Sequence, residues 1–188
     1  MALELNGTCA SLPHPYDTDK MLHVCYEGWS LPVNRQGTQK VAQALQKNTK
    51  WDAILHLGLE NTAKGLKVET MAMNVLATEN NPTSNVNLHC TKDTAIHSSG
   101  PCLLATTAPL NEIQGFTASD TWSRDTGAYY CNEIYYRTLW AIRENSVLSR
   151  PLLPAVFVHL PSYPTFGVSH PFLFLQQLSV ALILNNAP

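Results

Sequence analysis

The sequence has 188 residues, 45% of them apolar and 14% charged, with a formal net charge of -2; this length suits one domain with a sizeable core. So neutral a chain, with no run of Lys and Arg, carries no electrostatic footprint for nucleic acid or an anionic membrane. The charged share is well under the usual quarter, which points to extensive burial or to self-association as a homo-oligomer.

In chain order, residues 1–11 lack the basic and then apolar pattern of a secretory signal. Residues 23–26 read as a short strand ending before Gly28 and Pro32. Residues 35–47 carry Val41 and Leu45 at helical spacing, with Asn34 in place to cap the helix. Residues 51–57 (WDAILHL) form a compact apolar run that stops at Gly58, the pattern of a strand buried on both faces. A second apolar stretch covers residues 68–75, and residues 80–101 are polar and irregular. Residues 125–145 have Tyr129, Ile134, Leu139 and Ile142 at spacings compatible with a helix. Residues 154–160 (PAVFVHL) are a β-branched and aromatic strand. Ser169 and Pro171 open an apolar C-terminal helix, whose uncharged run from 171 to 184 is too short to span a bilayer. Strands alternating with helices predict an α/β domain with a mainly parallel sheet.

Five cysteines, Cys9, Cys25, Cys90, Cys102 and Cys131, show no CxxC spacing. An odd, scattered set argues against a fully paired secreted framework and fits a reduced compartment, so a cytoplasmic location is expected. Cys131 falls in the first turn of a predicted helix, just after Gly127, where unpaired N–H groups and the helix dipole favour a thiolate. A buried structural cysteine is the ordinary reading of such a residue. His159 ends a buried strand, and in open parallel sheets ligands gather at the carboxyl ends of strands; it could serve as base toward a thiol or be a satisfied core histidine. Glu69 is a carboxylate inside an apolar stretch, suited to orienting an imidazole or to lying exposed on an amphipathic strand. His89, Cys90 and His97 have the ligand types of a metal site but no fourth ligand at a known spacing, which favours a polar surface loop.

Four segments together carry a resemblance. SRDTGAYYCNEIYYRTL, AVFVHLPSYP, HLGLENTAKGLKVETMAMNV and GPCLLATTAPL resemble the nucleophile motif, the histidine strand, the glutamate region and the Gly-Pro loop of the pyroglutamyl-peptidase I (pyrrolidone-carboxylate peptidase) family of cysteine peptidases, in that family's order, over about residues 6–188. The resemblance implies a three-layer α/β/α sandwich around a twisted, mostly parallel sheet, with residues 1–188 as a single domain. It implies removal of an N-terminal pyroglutamyl residue from peptides, by Cys131 as nucleophile, His159 as base and Glu69 as its orienting carboxylate, with no metal or organic cofactor. Tyr129 and Tyr130 match positions that wall the pyroglutamyl ring, and Leu59 stands where bacterial members often carry a substrate-side Gln. The opening MALELNG resembles the end of the helix that follows the family's first strand and its Gly-Phe-x-Pro-Phe-Gly loop. The expectation is therefore an N-terminally shortened member, and the alternative is a catalytically impaired relative acting as a binding or interaction protein. A glutamine-amidotransferase-type hydrolase fits poorly, because its Gly-x-Cys-x-Gly elbow is not matched by Ala-Tyr-Tyr-Cys-Asn-Glu.

Overall fold

A computed structural model describes residues 2–77, 90–114, 122–124, 127–146, 152–162 and 169–184. A short helix α1 (Ala2–Leu5) leads into β1 (Cys9–His14) and β2 (Asp17–Cys25), an antiparallel hairpin that extends the expected strand at 23–26 toward the N-terminus. Cys9 and Cys25 are register partners there, Cα atoms 4.0 Å apart, and form a disulfide; Cys90 and Cys102 form a second. This corrects the expectation of a reduced set: directly opposed residues of an antiparallel pair come this close, and register cannot be read from cysteine spacing. Cys131 is the free cysteine.

The helix expected over 35–47 forms as two pieces, α2 (Arg35–Thr38) and α3 (Lys40–Gln46). Asn34 caps the first, its side chain accepting from Gly37 N at 2.9 Å. Gly37 is pressed against the Pro32 carbonyl, where a Cβ would clash. The strand expected at 51–57 is displaced: β3 spans Ile54–Glu60 and continues through Gly58. Trp51 instead meets the Trp29 ring edge-on at 5.4 Å, and Glu27 accepts from both indole N–H groups. The stretch at 68–75 divides into β4 (Lys67–Glu69) and β5 (Met71–Met73), the latter paired with β6 (Leu103–Ala105). Residues 90–101 are turns and bends; the rest of the predicted loop lies outside the described residues. After α4 (Leu110–Gln114) and β7 (Trp122–Ser123) comes α5 (Tyr130–Glu144), then β8 (Ala155–Pro161) and α6 (Ser169–Leu184). The side chains of Ser169 and Pro171, expected to open that last helix, lie outside the described ones.

The central sheet has the order β3-β8-β4-β7, with β3 parallel to β8, β8 antiparallel to β4, and β4 parallel to β7. Alternation then sorts its side chains. Val68, Val156, Val158 and Leu57 pack on one face with Leu178, Ala181 and Leu182 of α6. Ile54, Ala155 and Phe157 pack on the other with Tyr135, Leu139 and Ile142 of α5 and with Val41 and Leu45 of α3. The α/β architecture with helices on both sides of the sheet is thus the one expected, and two of its three strand pairings are parallel. Among the described residues no helix is long and apolar enough to cross a membrane.

Candidate active site

Sheet register decides which polar groups share the α5 face. Gly58 of β3 lies level with His159 of β8, and His159 lies opposite Lys67 of β4. With a period of two, His56, Gly58 and Glu60, Phe157 and His159, and Lys67 and Glu69 all project toward α5. That helix presents Cys131, Tyr135 and Thr138, spaced to form one stripe. The stripe runs antiparallel to β3: Cys131 lies beside Gly58, and Thr138 Oγ1 shares a 3.0 Å hydrogen bond with His56 Nε2. Tyr135 donates its hydroxyl to the Glu69 carbonyl at 3.1 Å. The N-terminus of α5 therefore meets the carboxyl ends of β3 and β8.

Several features hold α5 there. Gly127 has φ +72°, the left-handed turn its identity predicts. Tyr129 precedes the helix in extended conformation, and its carbonyl accepts the Glu133 N–H. Asn132 is fully buried, accepts from Met73 N at 2.7 Å and donates to Met73 O at 2.9 Å, clamping the first turn to β5. Glu133, also fully buried, takes hydrogen bonds from Thr38, Ala77 N and Arg137. The sequence reading missed the roles of both; two polar residues at the start of an apolar-faced helix were the available signal.

The three residues singled out as a catalytic set meet. His159 Nδ1 donates to Glu69 Oε1 at 2.8 Å, and Glu69 is fully buried, with no hydrogen-bond partner for Oε2 among the described residues. Cys131 is on the same side: its sulfur lies beside Gly58, the residue level with His159, and it interacts with the ring. Burial pushes the His159 pKa down, but the interactions with Cys131 and Glu69, and the charges of both, outweigh it and raise the value to about 9. Phe157 lies against the ring at 4.8 Å and stacks on His56 at 5.9 Å. Burial holds the His56 pKa down at about 4, so that imidazole is neutral at physiological pH.

Tyr129 and Tyr130 pack ring to ring at 4.7 Å directly before the thiol. Leu59 does not join the cluster: it projects from the opposite face of β3 to Gly58 and Glu60, and is 66% exposed. The imagined metal loop is also recast. Cys90 is consumed in a disulfide, His97 stacks on Trp140 with ring centroids 4.3 Å apart, and His89 lies outside the described residues.

The profile of the family described as pyroglutamyl peptidase matches residues 17–185. The chain belongs to that family. Solved structures with a similar fold include pyrrolidone carboxyl peptidase from Thermococcus litoralis, at 19% identity and TM-score 0.71, covering 98% of this chain and 84% of that one. A mutant pyrrolidone carboxyl peptidase from the hyperthermophile Pyrococcus furiosus aligns at 19% identity and TM-score 0.68, covering 96% of this chain and 88% of that one. The Thermus thermophilus protein aligns at 22% identity and TM-score 0.61, covering 97% and 88%. Among curated proteins none matches. The family assignment supports pyroglutamyl peptidase activity.

Proposed function

We propose that the chain is a thiol peptidase that removes the N-terminal pyroglutamyl residue from peptides, with Cys131 as nucleophile, His159 as acid and base, and Glu69 as the residue that orients His159. The observation that carries this reading is one imidazole hydrogen-bonded to a fully buried carboxylate, with a thiol in the first turn of a helix brought to the same face of the sheet. Glu69 holds Nδ1–H, which leaves Nε2 for the thiol. The arrangement can hold a thiolate–imidazolium pair, the reactive form of such a nucleophile.

The Cys131 sulfur attacks the pyroglutamyl carbonyl carbon, and its oxygen takes the negative charge. The Cys131 backbone N–H, which by position in the helix has no intrahelical partner, is suited to receive that oxyanion. As the C–N bond breaks, imidazolium gives its proton to the leaving amine, and a thioester remains. Neutral His159 then takes a proton from water, whose oxygen displaces the sulfur and releases the free pyroglutamyl acid. Tyr129 and Tyr130 are the aromatic walls for the lactam ring; Leu59 can reach substrate only through its main chain. Residues 1–188 act as one domain in this reading, with peptides as partners, no nucleic acid or membrane, and self-association allowed by the low surface charge.

Release of fluorophore from a pyroglutamyl aminocoumarin by the native chain, and its loss in Cys131→Ser, tests this reading. A folded native chain with an alkylatable Cys131 and no hydrolysis would instead leave the binding relative. On location, the sequence reading is cytoplasmic, whereas two disulfides belong with an oxidising compartment. A thiol count on protein quenched at harvest separates these: five thiols for the first, one for the second.

A further inference from the structure

A second carboxylate stands beside the His159 ring. Glu60 ends β3 on the α5 face, two residues beyond Gly58, and its Oε2 lies 3.8 Å from His159 Nδ1. Its other oxygen is engaged: Oε1 accepts from Lys67 Nζ at 2.6 Å and from Thr62 Oγ1 at 3.4 Å. The turn after β3 fixes the main chain too, with Ala63 N donating to the Glu60 carbonyl at 3.1 Å. Lys67 is the register partner of His159, so the lysine that tethers Glu60 comes from the strand beside the imidazole. Oε1 is thus held outward, and Oε2 is left on the ring side, just beyond hydrogen-bond length.

We propose that Glu60 is a second positioning carboxylate for His159, held in reserve by Lys67 and able to accept Nδ1–H when Glu69 does not. Among the described residues, the charged and titratable groups facing the ring are Glu60 from β3, Lys67 and Glu69 from β4, and Cys131 from α5. Its neighbours on the same face of β8, Phe157 and Pro161, carry no charge. Glu69 is sealed in the core, whereas Glu60 is half-buried at the rim, where a small rotation of ring or carboxylate closes the gap. Lys67 has two effects: it orients Glu60, and its charge offsets part of the second carboxylate, so that the ring is not over-stabilised as imidazolium. The inference rests on His159 serving as acid and base.

The test combines the NMR titration midpoint of the His159 ring with hydrolysis of the pyroglutamyl aminocoumarin, in Glu60→Gln, Lys67→Met, Glu69→Gln and the Glu60→Gln/Glu69→Gln double variant. Glu60→Gln should lower the midpoint and Lys67→Met should raise it. Hydrolysis should fall about twofold or less in Glu60→Gln alone, but by a further tenfold or so when the same change is added to Glu69→Gln, a coupling of the size contacting groups show. Midpoints unmoved by both rim substitutions, or an equal factor for Glu60→Gln in both backgrounds, would overturn the proposal. Should Glu69→Gln fail to fold, the two rim variants decide it by midpoint alone. A native chain that hydrolyses nothing would refute the peptidase reading, while the midpoints would still decide the role of Glu60.

Discussion

Replacing Gly58 by alanine puts one methyl group at the most crowded point between β3 and α5. Its Cβ would fall 2.6 Å from Phe157 Cζ, 2.9 Å from Cε1 of the same ring and 3.3 Å from Cys131 Sγ. The first two separations are inside van der Waals contact, so the Phe157 ring or the strand must move. Phe157 is wedged between His56 and His159, and the added methyl also presses on the sulfur. Over-packing of this kind costs about 1–3 kcal/mol, a fall in Tm of roughly 2–4 °C per kcal/mol for a chain of this size. Displacing a reacting group by about 1 Å costs on the order of a hundredfold in rate, so kcat/KM should suffer more than stability. Thermal melts and hydrolysis of the aminocoumarin substrate measure the two effects. Adding Phe157→Leu should restore much of the Tm by making room, without restoring the rate. A Gly58→Ala chain with native Tm and native kcat/KM would refute the reasoning that strand β3 must be bare where Cys131 approaches.

Glu69→Gln should lower kcat/KM by roughly a hundredfold or more, within what a positioned acid–base group contributes, while iodoacetamide still labels Cys131. Asn132→Ala strands Met73 N, while Met73 O keeps Val75 N, and should cost about 1–3 kcal/mol in urea unfolding, with lower activity because α5 loses its clamp. Stability should peak between two histidine limbs. His159, raised to about 9 from 6.5, contributes stability present below pH 6.5 and lost as pH rises through 9. His56, lowered to about 4 from 6.5, makes the unfolded chain the better proton binder between those values, so stability falls as pH drops from 6.5 toward 4. Urea melts across pH 4–10 should show both limbs, and His56→Leu should weaken the acid one only.

Strands and helices with strong local character were legible. The run around residues 155–160 and the tyrosine–leucine spacing of α5 state their own structure, and Gly127 announced the turn before it. The boundary of β3 was not, because Gly58 looks like a stop and is instead the point where the backbone passes beside Phe157 and Cys131. One residue of strand phase separates Leu59, which the sequence reading favoured, from Glu60, which faces the imidazole. Alternation puts neighbours on opposite faces, and only pairing with β8 reveals which is which. The Glu69–His159 contact spans 90 residues and depends on an antiparallel β4–β8 register, a non-local fact that local patterning does not encode; the family resemblance supplied the pair. Cys9 and Cys25 were missed for the same reason, since their meeting follows from hairpin register.

Attack of Cys131 on the pyroglutamyl carbonyl leaves a covalent trace that can be trapped. Incubating the protein with a pyroglutamyl peptide and quenching in acid should trap a thioester on the peptide containing residue 131, visible by mass spectrometry as an added pyroglutamyl group. The adduct should be absent from Cys131→Ser, whose hydroxyl is a far weaker nucleophile at neutral pH, and Cys131→Ser should also release no product. Undiminished hydrolysis by Cys131→Ser, or an adduct on a different residue, would contradict the account.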